Sequence, residues 1–167
     1  MDEVALAARL TRQAVYLHFR SRTALMLALV DHVGDKLGAT ELFQPQREAG
    51  SARAALRRML AAAARYAERV HDVASALDHA RHGDAAAQAA WQDRMARRRR
   101  EIRKIVARLA SERALRPDWS VARAVDALWA LTAPRGYADL VVARGWSLAD
   151  YERYLVTTAG AFLKRTR

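Results

Sequence analysis

Six polar residues, Thr11, Ser21, Ser51, Asp84, Ser120 and Ser147, each stand at the head of a helically patterned segment. A side-chain oxygen at such a position can accept a hydrogen bond from a free backbone N–H of the first turn, so each reads as a helix start. The helix from Ser21 is expected to reach about Leu37, with Leu25, Ala28, Leu29, His32 and Val33 as its inner stripe. From Ser51, Leu56, Met59, Leu60, Ala63, Tyr66 and Val70 recur at three and four; His71 to Arg81 reads as a separate short helix. Asp84 opens a helix to about Ala114 with Trp91, Met95, Ile102, Ile105 and Leu109 on one side. The last two helices run from Ser120 toward Pro134 and from Ser147 to near Lys164. His82-Gly83, Pro117-Asp118, Gly145 and a loop over Thr40 to Gly50, containing Pro45, punctuate the pattern.

No segment reads as a strand or a repeat, which predicts an all-α protein. Its 167 residues suffice for one core and a small head beside a larger body. Apolar residues make up 52%, yet charges interrupt every run well before the roughly 20 residues that span a bilayer. No basic stretch followed by an apolar one marks a signal peptide, so the expected setting is cytoplasmic, without membrane association. The absence of cysteine excludes a disulfide framework and a thiol nucleophile.

Val4 to Leu25 has helix-turn-helix spacing: a short helix able to pack through Val4, Ala5, Ala7 and Ala8, a turn, and a second helix after Thr11. In the second helix Val15 and Phe19 lie four apart and face inward, which turns Arg12, Gln13, Tyr16 and Leu17 elsewhere. Arg and Gln pair bidentately with guanine and adenine edges, and Tyr reaches phosphate oxygens. Through Ala8, Leu10-Thr11, Tyr16, His18-Phe19 and Ser21-Arg22 the segment resembles the DNA-binding head of the tetracycline-repressor (TetR) family. The resemblance makes Thr11 to His18 the recognition helix and Arg22 a phosphate contact. Arg9 stands where the family puts a turn glycine, which calls for backbone strain or a longer first helix. The family's heads carry another helix before this pair, so the head reads as partial, its first helix missing.

A second match lies about a hundred residues on, in Trp129, Leu131, Pro134, Tyr137, Arg144-Gly145-Trp146-Ser147, Tyr151 and Tyr154-Leu155. Two ordered matches divide the chain into a head and connecting helix at 1–38 and a ligand-binding and dimerisation body at 39–167. The resemblance implies a homodimer on double-stranded operator DNA, released by a small-molecule effector held between Ser51 and Pro134. Candidate lining residues are Met59, Tyr66, Leu77, Trp91, Met95, Trp129 and Tyr137, any of which also suits plain core packing. The last two long helices carry apolar residues on more than one face, and Thr157 to Ala161 are all small. A dimer interface is therefore expected at Val125, Tyr151, Leu155, Thr158, Ala159, Gly160 and Phe162.

The net charge of +11 does not by itself locate nucleic acid. Trp91 to Arg113 carries nine basic and three acidic residues, whereas Met1 to Thr23 carries four and two. Arg97 to Arg100 covers a full helical turn, so at least one arginine interrupts the apolar stripe; most such runs are solvated faces, and the alternative is that Arg98 or Arg99 binds an acidic ligand or a buried carboxylate. His71, His79, His82 and Asp78 lack the spacing of a complete metal set, and no metal or other cofactor is expected. No H-E-x-x-H, Gly-rich phosphate loop or G-x-S-x-G is present, which leaves enzymatic function unmotivated. The alternative to a DNA-binding regulator is a dimeric helical ligand-binding module that does not bind DNA.

Overall fold

A computed structural model describes residues 1–36 and 49–164 of the chain, and in it all six expected caps form. Side-chain oxygens of Thr11, Ser21, Ser51, Asp84, Ser120 and Ser147 accept from the backbone N–H three residues on, over 2.9–3.2 Å. The helices they open are α2 (Arg12–His18), α3 (Arg22–Lys36), α4 (Ala52–Ala80), α5 (Ala85–Ser111), α6 (Val121–Leu131) and α8 (Leu148–Gly160). The described residues add two more, α1 (Asp2–Ala7) and α7 (Pro134–Tyr137), which continues into a π turn at Ala138–Val142. The architecture is all-α, and the described residues hold no strand beyond a single bridge between Leu115 and Leu163. No described helix is long and apolar enough to cross a membrane.

Two boundaries differ from expectation. His71 to Ala80 continues α4, because no Gly or Pro interrupts Val70 to Ala80 and nothing there costs enough to end a helix. Pro134 begins a helix instead of ending one: at the first helical position its missing N–H is no loss. The loop around Pro45 and the boundary at residue 38 lie outside the described residues.

The 29-residue α4 is the central rod, packed against α3, α5, α7 and α8. Ala52, Ala55 and Ala64 have no exposed surface and let neighbouring backbones approach, while Leu56 and Leu60 fill the space between them. Ile102, Val106 and Leu109 of α5, Val125 and Leu128 of α6, and Tyr151, Leu155 and Ala159 of α8 complete the core. Each fully buried leucine contributes about 1.5–3 kcal/mol of transfer free energy. The loop after α5 is clamped to the C-terminal segment: Arg116 N–H donates to Phe162 O and Lys164 N–H to Ala114 O, both at 2.9 Å.

This packing revises two apolar faces. On α3, Thr23 donates to Asp84 at 2.6 Å and Asp31 pairs with Arg94, so the side carrying those residues faces α5. Leu29 and His32 lie across the helix from that side and are exposed. On α8, Tyr151, Leu155, Ala159 and the following Phe162 are 0–5% exposed, as is Val125 of α6. These five belong to the chain's own core because α8 docks onto both α4 and α6. Of the expected dimer residues, only Thr158 and Gly160 retain an outward surface.

Candidate nucleic-acid interface and ligand cleft

In the head, α1 packs on α2, and Ala5 and Val15 are the buried residue of each, both 4% exposed. α1 ends in a paired-bond cap: Arg9 N–H donates to Leu6 O at 3.1 Å and Leu10 N–H to Ala5 O at 2.9 Å. Closing that cap puts Arg9 at φ 54, the left-handed conformation that a glycine adopts without cost. Of the two ways past the absent glycine, the chain takes strain.

Burial of Val15 on one side turns the rest of α2 outward. Thr11, Arg12, Gln13, Tyr16, Leu17 and His18 are all exposed, as is Arg22 in the first turn of α3. Thr11 spends its hydroxyl on the Ala14 N–H, so its part in this face is to fix the start of α2. Arg12 lies 3.3 Å from Asp2 and 5.6 Å from the Tyr16 ring centre, an exposed and easily exchanged set of contacts. Val4, Leu6, Leu10 and Leu17 add apolar surface to the head, Leu6 and Leu17 each at 81% exposure.

A cleft of about 780 Å³ opens in the body where the end of α4, the first half of α5, the end of α6 and the start of α7 meet. Three of the seven expected ligand residues, Trp91, Met95 and Trp129, line it. Met59, Leu77 and Tyr137 are instead core side chains at 4%, 1% and 7% exposure, and half-buried Tyr66 does not reach the cleft wall. A helical stripe places all seven inside, but it does not tell a packed interior from the edge of a cavity.

Arg98 dominates one wall. Its guanidinium carbon sits 4.8 Å from the centre of the Trp129 ring, and the group donates to Trp129 O at 2.9 Å and to Thr132 O. The Trp129 carbonyl lies in the last turn of α6 and that of Thr132 at its C-cap, where main-chain acceptors lack helical partners and the dipole is negative. Burial pushes Arg98 down to about 10, which leaves it charged at neutral pH. Its Nε and the Trp129 indole Nε1 are both buried without a hydrogen-bond acceptor.

Opposite, Arg81 stacks 5.1 Å from the Trp91 ring centre and pairs with Asp78. Arg81, Gln88 and Arg135 line the cleft without having been expected there. Their only sequence signal is weak: Asp78–Arg81 and Arg135–Asp139 have the spacing of helical ion pairs, which occurs on any solvated helix. The His71 ring lies tilted against Tyr137, centres 5.4 Å apart, and does not line the cleft as His79 and His82 do. Among the described residues no group of three His, Asp or Glu side chains could hold a metal ion.

A helix-turn-helix head followed by a helical body with its own cleft defines a class of architecture, and comparison with known proteins gives that class a representative. The chain superposes on the crystal structure of a "putative TetR-family transcriptional regulator" from Rhodococcus sp. with a TM-score of 0.72. The match covers 98% of this chain and 86% of the other at 18% sequence identity, so the fold is TetR-like. No protein-family model and no curated protein matches the sequence.

Proposed function

We propose that the chain is a ligand-responsive transcriptional regulator, a repressor, that binds operator DNA as a homodimer. The observation that carries this reading is α2: a capped helix anchored through Val15, with Arg12, Gln13, Tyr16, Leu17 and His18 exposed on it. Arg12 and Gln13 suit base edges, Leu17 a thymine methyl, and Tyr16 and Arg22 phosphates.

Two further observations support the rest of the reading. The helix that lines the cleft through Trp91 and Met95 also holds the helix behind the head, through Asp84–Thr23 and Arg94–Asp31. A ligand that repositions α5 therefore acts on α3, a route by which cleft occupancy changes head geometry. Along α8, Trp146, Tyr154, Thr157 and Thr158 line an open groove, with Trp146 and Tyr154 edge to face at 5.9 Å. Paired across a two-fold axis, that face brings two heads to successive major grooves.

The test is footprinting of the full chain on the intergenic DNA beside its own gene. Protection of two half-sites about 34–36 Å apart is the expected result. Uniform binding of any duplex, or none, would leave the ligand-binding module as the better reading.

A further inference from the structure

Within the arginine run, Arg97 pairs with Asp93 and Arg99 with Asp126, both on the surface. Arg98 alone of these three turns inward, and no carboxylate of the described residues pairs with it. Helix-end carbonyls carry only partial charge, so a part-buried guanidinium held by two of them still lacks a counter-ion. Beside it, the Arg98 Nε and the Trp129 indole are donors buried without acceptors, a pairing that folded proteins rarely leave open.

The other cations of the cleft are already balanced. Arg81 is paired with Asp78 and Arg135 with Asp139, which leaves one uncompensated charge. The remaining wall is largely apolar, with Trp91, Met95, Pro134 and Ala138. One cation, adjacent unsatisfied donors and an apolar wall suit a monoanion with a hydrophobic body. A free phosphate brings more charge than one guanidinium balances and has no use for that wall.

We infer that the cleft binds a small organic carboxylate. The carboxylate accepts hydrogen bonds from Arg98 and, after a side-chain rotation that uncovers it, from the Trp129 indole N–H, and its apolar body lies against Trp91 and Met95. This rests on the ligand-responsive reading but names the chemistry of the ligand, and it is tested without DNA.

The indole N–H signals of the full chain are followed by heteronuclear NMR, with that of Trp129 assigned from W129F. Phenylacetate, octanoate, their primary amides and inorganic phosphate are each titrated. At least one acid should shift the Trp129 signal and bind roughly ten- to a hundredfold more tightly than its amide, as for hydrogen bonds to a charged group. In R98Q this acid-over-amide preference should disappear, and R98K should retain part of it. Because the acid–amide comparison is made on the unaltered chain, it decides the matter even if R98Q does not fold. Equal affinity for acid and amide, tighter binding of phosphate, or no response to either acid by about 10 mM would overturn the assignment. Acid binding that leaves DNA affinity unchanged would support the carboxylate site and count against the regulatory reading instead.

Discussion

Arg9 and Arg113 occupy the same strained position at the ends of two different helices. Each lies in the left-handed region, at φ 54 and 53, just past a helix whose last turn closes through a bond from the following N–H to a carbonyl five residues back. Leu10 donates to Ala5 at 2.9 Å in one case, and Ala114 to Leu109 at 2.8 Å in the other. Glycine is the usual occupant of this position because a Cβ crowds the neighbouring carbonyl.

Arg9→Gly and Arg113→Gly should therefore each raise stability by about 1 kcal/mol, net of glycine's greater freedom in the unfolded chain. The sites belong to separate elements, so the double variant should show the sum. Arg113→Val, whose branched side chain tolerates this conformation least, should destabilise. Urea midpoints measure all four; a loss of stability in both glycine variants would mean that the arginine side chains contribute more than the backbone strain costs.

Asp84 links the head to the body and should make that link sensitive to acid. The hydrogen bond from Thr23, followed by that from the Ala87 N–H, holds its carboxyl below the ordinary carboxylate range. A lowered folded-state value contributes stability that is present above the unfolded value of about 3.9 and is lost as pH falls through the folded one. Asp84→Asn keeps a capping oxygen but no charge, so wild type should exceed it near neutrality and converge on it in acid. Glu112, Asp118 and Asp150 are also held low, but they are common to both proteins and cancel in the difference. A gap in urea midpoint that stays constant with pH would show that the Asp84 charge carries no stability.

The proposed dimer is best probed where a side chain costs the monomer nothing. Among the described residues, a Cβ added at Gly160 meets no other part of the chain within 4 Å, yet the position is exposed on the helix that bears the Trp146–Tyr154 groove. Gly160→Arg should leave helicity intact by circular dichroism and halve the mass seen by light scattering, because it buries a charge only where a second copy approaches. Gly160→Ala should remain dimeric. A wild-type chain that is monomeric at micromolar concentration would refute the interface outright.

On DNA, Gln13 and Arg22 should separate by role. Gln13→Ala should cost about 1–3 kcal/mol on the preferred operator and relax preference at one base pair. Arg22→Ala should weaken binding to every sequence and lower the salt slope by about one. Both side chains are exposed, so neither substitution should melt α2, which circular dichroism can confirm. If Arg22→Ala shifts base preference while Gln13→Ala lowers affinity uniformly, the assignments are reversed.

Local chemistry was legible in the sequence wherever one or two turns of chain decide the outcome. The six N-caps, the turn at Gly145 with φ 71 and the outward face of α2 all follow from hydrogen-bonding groups and spacing within a few residues. The strain at Arg9 was legible too, since a turn that favours glycine leaves any other residue few alternatives. Periodicity showed which residues turn inward but not what they meet, because a stripe of given width looks the same against a partner helix, a second chain or a cavity. Hence Tyr151 and Leu155 suggested a dimer face until α4 and α6 were seen to cover them, and Met59 and Leu77 suggested a cleft until both were found buried in the packed core. Arg98 marks the same limit from the polar side. Its place in a run of four arginines required one of them to turn inward, but which one, and that it would meet two carbonyls at the end of α6, depended on the docking of helices about thirty residues apart in sequence.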